Sequence, residues 1–416
     1  MSDSVEVWLD ADLVSEKTRV GTLSHDRGAV RFAYDESWLK HSLSFAVDPE
    51  LTLDAGTFHP QAEQGNFRVF DDSAPDRWGQ MLMRRREALL AKDEGRSPRT
   101  LYAWDFLLGV QDFTRQGALR FRRPGDQAFL ADHERPAPPV ASLRELESVA
   151  IELTSKHIDD LDALRRWLAV LVAPGASLGG ARPKANFTEV DGSLWIAKFP
   201  SRDDERDIGA WESLTHGLAQ RAGIDVPPSK LLSFQKHFHT FCTQRFDRMA
   251  GRRRFYASAM AMLRKDESEG TSYLELAEFL HQQGAKDHVE PDLEQLFRRV
   301  TFNVAVGNRD DHLRNHGFLL TPTGWRLAPA FDVNPSIDKA DHVLNLDETD
   351  NRPNMATIID TSEWYHLSKD RGAAVVSEVL SVTRGWRQAA TQLGIARADV
   401  ELMAGAFALS DYRTNV

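Results

Sequence analysis

The first part of the chain alternates apolar and polar positions over several short segments. The stretches VEVWLD, RVGTLSHD and AVRFAYD follow this period of two and are separated by turn-like residues. Successive side chains of a strand point to opposite faces of a sheet, so this pattern predicts half-buried β-strands. We therefore expect the chain to begin with a β-rich subdomain.

A helical period follows in the stretch APDRWGQMLMRRREALLAKDEG. The proline-rich residues 124–140 predict a linker or long loop, and two further helices are predicted between 141 and about 173. In the stretch APDRWGQMLMRRREALLAKDEG, the apolar residues are spaced like those of an amphipathic helix and predict one buried face. That face is expected to contain Trp78, Met81, Leu82, Leu89 and Leu90.

Strand patterns return between 175 and 250. FTEVDGSLWIAKF predicts a hairpin with Asp191-Gly192 at its turn, and SKLLSF and HTFCTQRFD predict strands after the helix-like ERDIGAWESLTHGLAQRAG. Beyond 255 the pattern is mostly helical, interrupted near 307–338 by a polar loop and a short strand pair. The chain is thus predicted to be α+β. Its predicted segments are a β-rich 1–125, a mixed 126–250 with linker helices, and a helical 251–416.

Composition narrows the class of protein. A chain of 416 residues with 42% hydrophobic residues can bury a large core. The net charge of -11 gives no support for an overall surface for nucleic acid or anionic lipid, and the basic runs MRRRE and GRRRF are expected to be solvated. The single cysteine, Cys242, excludes an intramolecular disulfide and is expected in the core. With neither a leader-like start nor a membrane-span pattern, the sequence predicts a cytoplasmic protein without membrane contact.

Two stretches of the mixed segment could bind phosphate. GASLGGARPKANF places glycines beside Arg182 and Lys184, so its backbone amides could turn toward an anion, although a plain glycine turn has the same sequence. WIAKFP places Lys198 in an apolar strand, where a lysine either reaches solvent or meets an anionic partner. Glu212, in the following helix-like segment, is either that partner or a solvated residue.

The stretch GNRDDHLRN concentrates polar groups directly after an apolar helical run. Asp310 and Asn315 have four residues between them, the spacing of the kinase catalytic loop, in which the aspartate is the base and the asparagine binds metal. Asp311 is a rival base with the wrong offset, while His312 and Arg314 could contact phosphate. A helix-end capping network or a transition-metal fragment would also explain these residue types.

Asp332 follows a short apolar strand in GWRLAPAFDVNPS. It is either a second metal ligand or a turn aspartate before Asn-Pro. Phosphoryl transfer needs a phosphate cradle, a cation, hard oxygen ligands for Mg²⁺ and a base. The glycine loop, strand lysine, helix glutamate, D-x4-N and late aspartate occur in this chain in the order that a kinase requires, which favours a catalytic loop at 307–315.

The chain resembles the HipA-type serine/threonine kinases, the toxins of bacterial type II toxin–antitoxin modules. The motifs that carry the resemblance are GASLGGARPKANF, WIAKFP, QRFDR, GNRDDHLRNHGFLL and LAPAFDVNPS, and the N-terminal stretches VGTLSHDRGAVRFAYDESWL and FDDSAPDRWGQMLMRRR resemble the family's small N-terminal domain. The resemblance implies a two-lobed protein-kinase-like fold. It would comprise a mixed N-lobe, a mostly helical C-lobe and a β-rich N-terminal subdomain.

The resemblance also implies a role for each matching residue. Asp310 would be the catalytic base, with Asn315 and Asp332 holding Mg²⁺ and Lys198 contacting the α- and β-phosphates of ATP, paired with Glu212. The other expected ATP contacts come from the glycine loop, from a hinge at the adenine and from the catalytic loop: Gly179, Gly180, Ala181, Arg182, Pro183, Lys184, Gln244, Arg245, Phe246, His312 and Arg314.

The implied activity is a Mg²⁺- and ATP-dependent kinase that acts as a toxin. In this family a serine of the glycine loop is autophosphorylated and disables ATP binding, and Ser177 occupies that place. The implied substrate class is the aminoacyl-tRNA synthetases. The implied partner is a HipB-like helix-turn-helix antitoxin, which would connect the chain to operator DNA.

Two other functional classes of protein are alternatives to a toxin kinase. A small-molecule kinase of the aminoglycoside phosphotransferase type uses the same lysine, D-x4-N and late aspartate, but the β-rich start and Ser177 favour the toxin kinase. A non-catalytic corepressor of a helix-turn-helix antitoxin is the other alternative. The intact Asp310, Asn315, Asp332 and Lys198 count against a loss of catalysis.

Overall fold

The computed structural model describes residues 3–61, 65–132, 137–154, 168, 182–234 and 238–413. Ser177, Gly179, Gly180 and Ala181 lie outside the described residues, as does the second helix predicted before 173. The strands of the described part are β1 (Asp3–Leu9), β2 (Thr18–Asp26), β3 (Ala29–Tyr34), β4 (Leu119–Arg122), β5 (Lys184–Thr188), β6 (Leu194–Lys198), β7 (Ser229–Leu232), β8 (Thr240–Gln244), β9 (Arg248–Met249), β10 (Arg252–Arg253), β11 (Tyr256–Ser258), β12 (Gly317–Thr321) and β13 (Gly324–Leu327).

Helices are mixed with these strands, which confirms the predicted α+β class. The described α-helices are α1 (Glu36–Leu39), α2 (Arg68–Asp72), α3 (Arg77–Asp93), α4 (Ala103–Gly109), α5 (Leu143–Leu153), α6 (Ile208–Arg221), α7 (Ala259–Met262), α8 (Tyr273–Gln283), α9 (Val289–Val306), α10 (Met355–Asp360), α11 (Lys369–Thr383), α12 (Trp386–Gln392) and α13 (Arg397–Leu402).

The chain divides into two compact units. Met1–Asp203 and Gln244–Ala257 form the first unit, and Asp204–Thr243 and Ser258–Val416 form the second. The predicted boundaries near 125 and 250 stay a prediction. Among the described helices, none is both long and apolar enough to cross a bilayer.

The first unit contains an antiparallel sheet with the strand order β3-β2-β1-β4. Strands β1 to β3 coincide with the three alternating stretches of the sequence, because one face of each strand is buried. Phe32, Phe67, Phe70 and Phe121 pack against one another within the core of this unit, with ring centroids 5.8–6.2 Å apart. Edge-on and tilted arrangements at this spacing are favourable for aromatic rings.

Helix α3 lies where its period predicts, but one side of its predicted buried face is wrong. Leu90 is 43% exposed, whereas Glu87 is buried. The Glu87 carboxylate accepts a hydrogen bond from the backbone N–H of Arg99 at 2.9 Å and is paired with the guanidinium of Arg96. The chain after the helix thus folds back over Glu87, and these polar partners permit the burial of a carboxylate.

The basic run GRRRF is also less solvated than expected. Arg253 is buried, and its guanidinium donates to the carbonyl oxygens of Arg115 and Gly117 at 3.2 and 3.3 Å. Because the guanidinium binds carbonyl oxygens of its own unit, this arginine is a structural residue. Cys242 is fully buried, as its apolar surroundings predict.

The predicted hairpin of the first unit is formed by β5 and β6. The two strands are antiparallel, with Lys184 opposite Lys198 and Thr188 opposite Leu194. Gly192 adopts φ +82° at the turn, in the left-handed region that glycine enters without steric cost. The turn therefore sets the register that brings the two lysines to the same end of the hairpin.

In the second unit, helix α9 leads into the polar stretch at 307–315. The helix ends at Gly307, which has φ +64°, and a Cβ atom there would lie 2.5 Å from the carbonyl oxygen of Ala406. A glycine at this position both permits the left-handed helix end and allows the close approach of the backbone. The strands β12 and β13, which follow the stretch, form the antiparallel pair that the sequence predicts.

Candidate active site

The loop after α9 holds Asp310 and Asn315 together. The side-chain nitrogen of Asn315 donates to the backbone carbonyl oxygen of Asp310 at 2.7 Å. The carboxylate of Asp310 is 63% exposed and lies 3.4 Å from Lys339 Nζ and 3.8 Å from His312 Nε2. An exposed carboxylate on a fixed backbone is available to a hydroxyl group that approaches from solvent.

Asp311, the neighbouring carboxylate, has the opposite environment. Its side chain is fully buried and accepts hydrogen bonds from the Tyr273 hydroxyl at 2.7 Å, from His342 Nδ1 at 2.9 Å and from the Val343 backbone N–H at 2.8 Å. Burial acts to raise the pKa of Asp311, but the hydrogen bonds from His342, Tyr273 and Val343 lower it below the ordinary value. The Asp311 carboxylate is therefore bound within the fold and is not exposed to solvent.

Asp332 has a backbone conformation that residues other than glycine rarely adopt, with φ +53°. The chain around it is hydrogen-bonded on both sides. The Ala330 N–H donates to the carbonyl oxygen of Asp225 at 2.8 Å, and the carbonyl oxygen of Val333 accepts a hydrogen bond from the Thr215 hydroxyl at 2.5 Å. These bonds hold the unusual conformation, and such conformations are common at functional sites.

Two cavities of the second unit adjoin this aspartate. The smaller is lined by Glu212, His216 and Asp332, and the larger by Arg299, Asn315 and His316. The cavities share the walls formed by Ala330, Phe331 and Val333. The structure thus brings Glu212 and Asp332 to one cavity, and Asn315 lines the adjoining one.

Burial changes the protonation of groups in the larger cavity. Burial, aided by the nearby charge of Arg299 and opposed by Asp311, lowers the pKa of His316 to about 4. Burial also lowers the pKa of Arg299, to about 10. At neutral pH the cavity therefore contains a neutral imidazole and a charged guanidinium.

In the first unit, the β5–β6 hairpin carries the residues that follow the glycine loop. Lys184 Nζ is paired with Asp76 Oδ2 at 2.7 Å, and both side chains are buried. The backbone carbonyl oxygen of Lys184 accepts a hydrogen bond from Trp78 Nε1 at 3.0 Å, and that of Pro183 accepts one from the Phe199 N–H at 2.9 Å. Asp76 and Trp78 thus fix the end of the predicted phosphate loop.

The other predicted site residues of the first unit are placed as follows. Lys198 is buried on β6, and Arg182 and Phe246 are half-buried. The Arg245 guanidinium donates to Asp247 at 2.8 Å and to Asn186 Oδ1 at 3.0 Å, and its backbone N–H donates to the Leu194 carbonyl oxygen at 2.9 Å. Arg245 is thus held within its own unit. Gln244 is half-buried at the end of β8.

In the second unit His312 is half-buried and Arg314 is exposed. Three residues that contact Asp310 or Asp311 have no counterpart in the sequence prediction, namely Tyr273, Lys339 and His342. They lie 38, 29 and 31 residues from the aspartates that they contact. No local pattern marks residues at such separations, since only the folded chain brings them together.

Two curated relatives are provisionally named kinases. A protein of Haemophilus influenzae is 27% identical over 207 residues, which are 43% of this chain and 59% of that protein. A protein of Sinorhizobium fredii is 24% identical over 407 residues, which are 89% of this chain and 86% of that protein. This chain therefore matches about three fifths of the first relative and most of the second.

The structure is similar to a chain of the Shewanella oneidensis MR-1 toxin–antitoxin complex of HipA, HipB and operator DNA. The alignment has a TM-score of 0.64 and 18% sequence identity, and it covers 97% of this chain and 95% of that chain. The likeness confirms the predicted HipA-like α+β fold. A model of the HipA N-terminal domain matches residues 11–101, and a model of the HipA-like C-terminal domain matches residues 176–404. Since the second model alone spans more than half of the sequence, the chain belongs to the HipA family.

Proposed function

We propose that the chain is a Mg²⁺- and ATP-dependent serine/threonine protein kinase that acts as a toxin of the HipA type. The observation that carries the proposal is the loop in which the exposed Asp310 is bound through its backbone to Asn315. Family membership, the provisional names of two relatives and the similarity in fold to a chain of a toxin–antitoxin complex agree with it.

In this proposal the Asp310 carboxylate accepts the proton of the attacking hydroxyl group. Its exposure allows a serine or threonine side chain of another protein to reach it. Lys339 lies near Oδ1 of this carboxylate and His312 lies near Oδ2. Both side chains would be displaced or reoriented when the substrate hydroxyl binds. General bases of this kind contribute about 10² to 10⁴-fold to the rate.

Asn315 and Asp332 are the proposed ligands of Mg²⁺. Because the amide nitrogen of Asn315 is bound to the Asp310 carbonyl oxygen, its amide oxygen is the atom left for a cation. Together with the Asp332 carboxylate this gives hard oxygen ligands, which fit Mg²⁺. When bound, the ion would neutralise charge on the transferred phosphoryl group.

Lys198 is the proposed cation for the α- and β-phosphates, with Glu212 as its partner. Lys184 is already paired with Asp76, so we expect it to anchor the glycine loop rather than to supply the main charge. Residues 179–183 would complete the phosphate loop, and His312 and Arg314 would contact the γ-phosphate. Gln244 to Phe246 would form the adenine hinge, with Arg245 contributing through its backbone carbonyl group.

We further propose that phosphorylation of Ser177 inactivates the kinase. A phosphoserine adds about two negative charges at neutral pH, at the position where the loop would receive the phosphates of ATP. The proposed protein substrate is an aminoacyl-tRNA synthetase. The proposed partner is a HipB-like antitoxin that links the chain to its operator DNA, in keeping with the complex to which the fold is similar.

Phosphopeptide mass spectrometry of the purified chain with ATP and Mg²⁺ tests this proposal. We expect phosphate on Ser177 and on serine or threonine of added synthetases, and a loss of about 10³-fold in rate for Asp310→Asn. The exposed Asp287→Asn is the matched control and should retain the wild-type rate.

Three outcomes would count against the proposal. Phosphate on small alcohols alone would favour a small-molecule kinase, and absence of ATP binding and turnover would favour the non-catalytic corepressor. Activity on proteins without phosphate on Ser177 would remove the self-inactivation step.

A further inference from the structure

The proposed catalytic loop is hydrogen-bonded to a segment that follows Asp332 in the sequence. This segment, residues 338–345, contains His342, whose side chain is fully buried against Asp311. His342 Nδ1 lies 2.9 Å from Asp311 Oδ2, and the Val343 backbone N–H donates to Asp311 Oδ1 at 2.8 Å. Both carboxylate oxygens of Asp311 thus bind the same segment.

The second imidazole nitrogen of His342 binds Arg309. Arg309 Nη1 contacts His342 Nε2, and an arginine can only donate hydrogen bonds. In this contact Nε2 is therefore the acceptor, and Nδ1 is left as the donor to Asp311. One side chain thus holds both neighbours of Asp310 in the sequence.

The groups on either side of this contact are fixed in turn. The Tyr273 hydroxyl donates to Asp311 Oδ2 and accepts a hydrogen bond from Asn303 Nδ2 at 2.9 Å. The backbone of His342 is paired with Asn351, through N–H to carbonyl at 3.0 Å and through Asn351 Nδ2 to the His342 carbonyl oxygen at 2.8 Å. The contact between loop and segment is therefore a buried network that ends on α8, on α9 and on residue 351.

We propose that His342, acting through Asp311 and Arg309, is a positioning residue for phosphoryl transfer, a role that rests on the kinase activity proposed above. Within the part of the chain that the structure describes, the exposed Asp310 carboxylate forms ion-pair contacts only with Lys339 and His312, at 3.4 and 3.8 Å. Its position is set by the backbone between residues 309 and 311, and His342 binds the side chains at both ends of that stretch. Lys339 lies on the same segment, so His342 also sets the position of this lysine relative to the base.

The variants His342→Phe and His342→Asn test the role. Phenylalanine keeps the ring but removes both hydrogen bonds, whereas the asparagine amide replaces the donor to Asp311 and loses the acceptor for Arg309. Since displacement of a catalytic group by about 1 Å can cost about 100-fold in rate, we expect kcat to fall about 30-fold or more in His342→Phe. The fall in His342→Asn should be smaller, and the KM for ATP should stay within about threefold in both.

The control histidine is His288, which is exposed and does not cap its helix through its side chain. His288→Phe and His288→Asn should retain the wild-type kcat. Thermal unfolding of all four variants shows what fraction is folded at the assay temperature. If His342→Phe does not fold, the comparison between His342→Asn and His288→Asn decides the question.

Amide hydrogen exchange of residues 338–345 gives a readout that does not need kinase activity. We expect this segment to exchange at least about tenfold faster in the His342 variants, because its side-chain connection to the loop is lost. If the wild type transfers no phosphate, the kinase proposal fails and the exchange data alone decide whether His342 holds the segment. A folded His342 variant with wild-type kcat, or with wild-type exchange, would overturn the positioning role.

Discussion

Asp310 and Asp311 are adjacent in the sequence, yet one carboxylate is 63% exposed and the other is fully buried. Adjacent residues outside a helix point in different directions, so a backbone that exposes one can bury the other. The exposed carboxylate is available for chemistry, whereas the buried one is bound by Tyr273, His342 and Val343. Removal of the Asp310 charge should therefore affect mainly the rate of phosphoryl transfer, whereas removal of the Asp311 charge should affect mainly the free energy of unfolding.

We predict that Asp310→Asn lowers kcat about 10³-fold and changes the free energy of unfolding by less than about 0.5 kcal/mol. Asp311→Asn should instead lower the free energy of unfolding by about 2–4 kcal/mol, because Asn has one acceptor oxygen for three donors. Urea unfolding and phosphoryl-transfer rates of both variants would check this. Equal losses of stability in the two variants would contradict the assignment.

His316 makes the stability of the second unit dependent on pH. Its folded-state pKa of about 4 lies below its ordinary value of 6.5, so between these pH values only the unfolded state binds the proton. Lowering the pH from 6.5 to 4 should therefore reduce the free energy of unfolding by up to about 3 kcal/mol through this residue.

Urea unfolding at several pH values, with His316→Phe beside the wild type, measures this contribution. The variant keeps a ring against Tyr273, which His316 contacts edge-on at 5.3 Å. Its stability should depend less steeply on pH across this range, while the exposed His288→Asn should follow the wild type. Parallel curves for His316→Phe and wild type would refute the prediction.

At the scale of elements, the start of α3 is connected to the start of β5. Asp76 caps the helix by accepting the Gly79 N–H at 2.8 Å with one oxygen, and it pairs with Lys184 through the other. One carboxylate therefore both begins a helix and fixes the end of the proposed phosphate loop.

We predict that Asp76→Asn lowers the free energy of unfolding by about 3–5 kcal/mol, because it removes the negative charge from a buried ion pair with Lys184. Asparagine is as good a helix N-cap as aspartate, so the loss would come from the ion pair and not from the cap. Asp35→Asn is the control, since Asp35 caps α1 but has only a partly exposed ion pair with Arg19. Denaturant unfolding that gave the same small loss in both variants would contradict the prediction.

At the scale of the whole molecule, the net charge limits the affinity of the chain for DNA. The net charge is -11, and Arg253 of one basic run is buried in hydrogen bonds to its own unit. We predict that the chain alone binds operator DNA no better than non-specifically, weaker than about 10⁻⁶ M at physiological salt.

Mobility-shift measurements with and without a helix-turn-helix antitoxin would test this. The two-protein mixture should bind the operator specifically and retain this chain in the complex. Tight operator binding by the chain alone would overturn the prediction. In that case the salt dependence of the binding constant would give the number of DNA phosphates that the chain neutralises.

Most elements of the fold could be predicted from the sequence because their signals are local. The alternation in β1 to β3, the helical period of α3 and the Asp191-Gly192 turn each depend on a few consecutive residues. The burial of Glu87 and Arg253 could not be predicted in this way. Each is buried only because distant or folded-back chain supplies its hydrogen bonds.

The sequence by itself determined the α+β class, the order of the candidate motifs and the spacing of Asp310 and Asn315. These properties depend on residue type and on separation along the chain. Only the tertiary structure decided that Asp311 is buried, that Lys184 is paired with Asp76 and that His342 binds Arg309 and Asp311. These contacts join residues 31 to 108 positions apart, and the free energy that selects them comes from burial and hydrogen bonding in the folded chain.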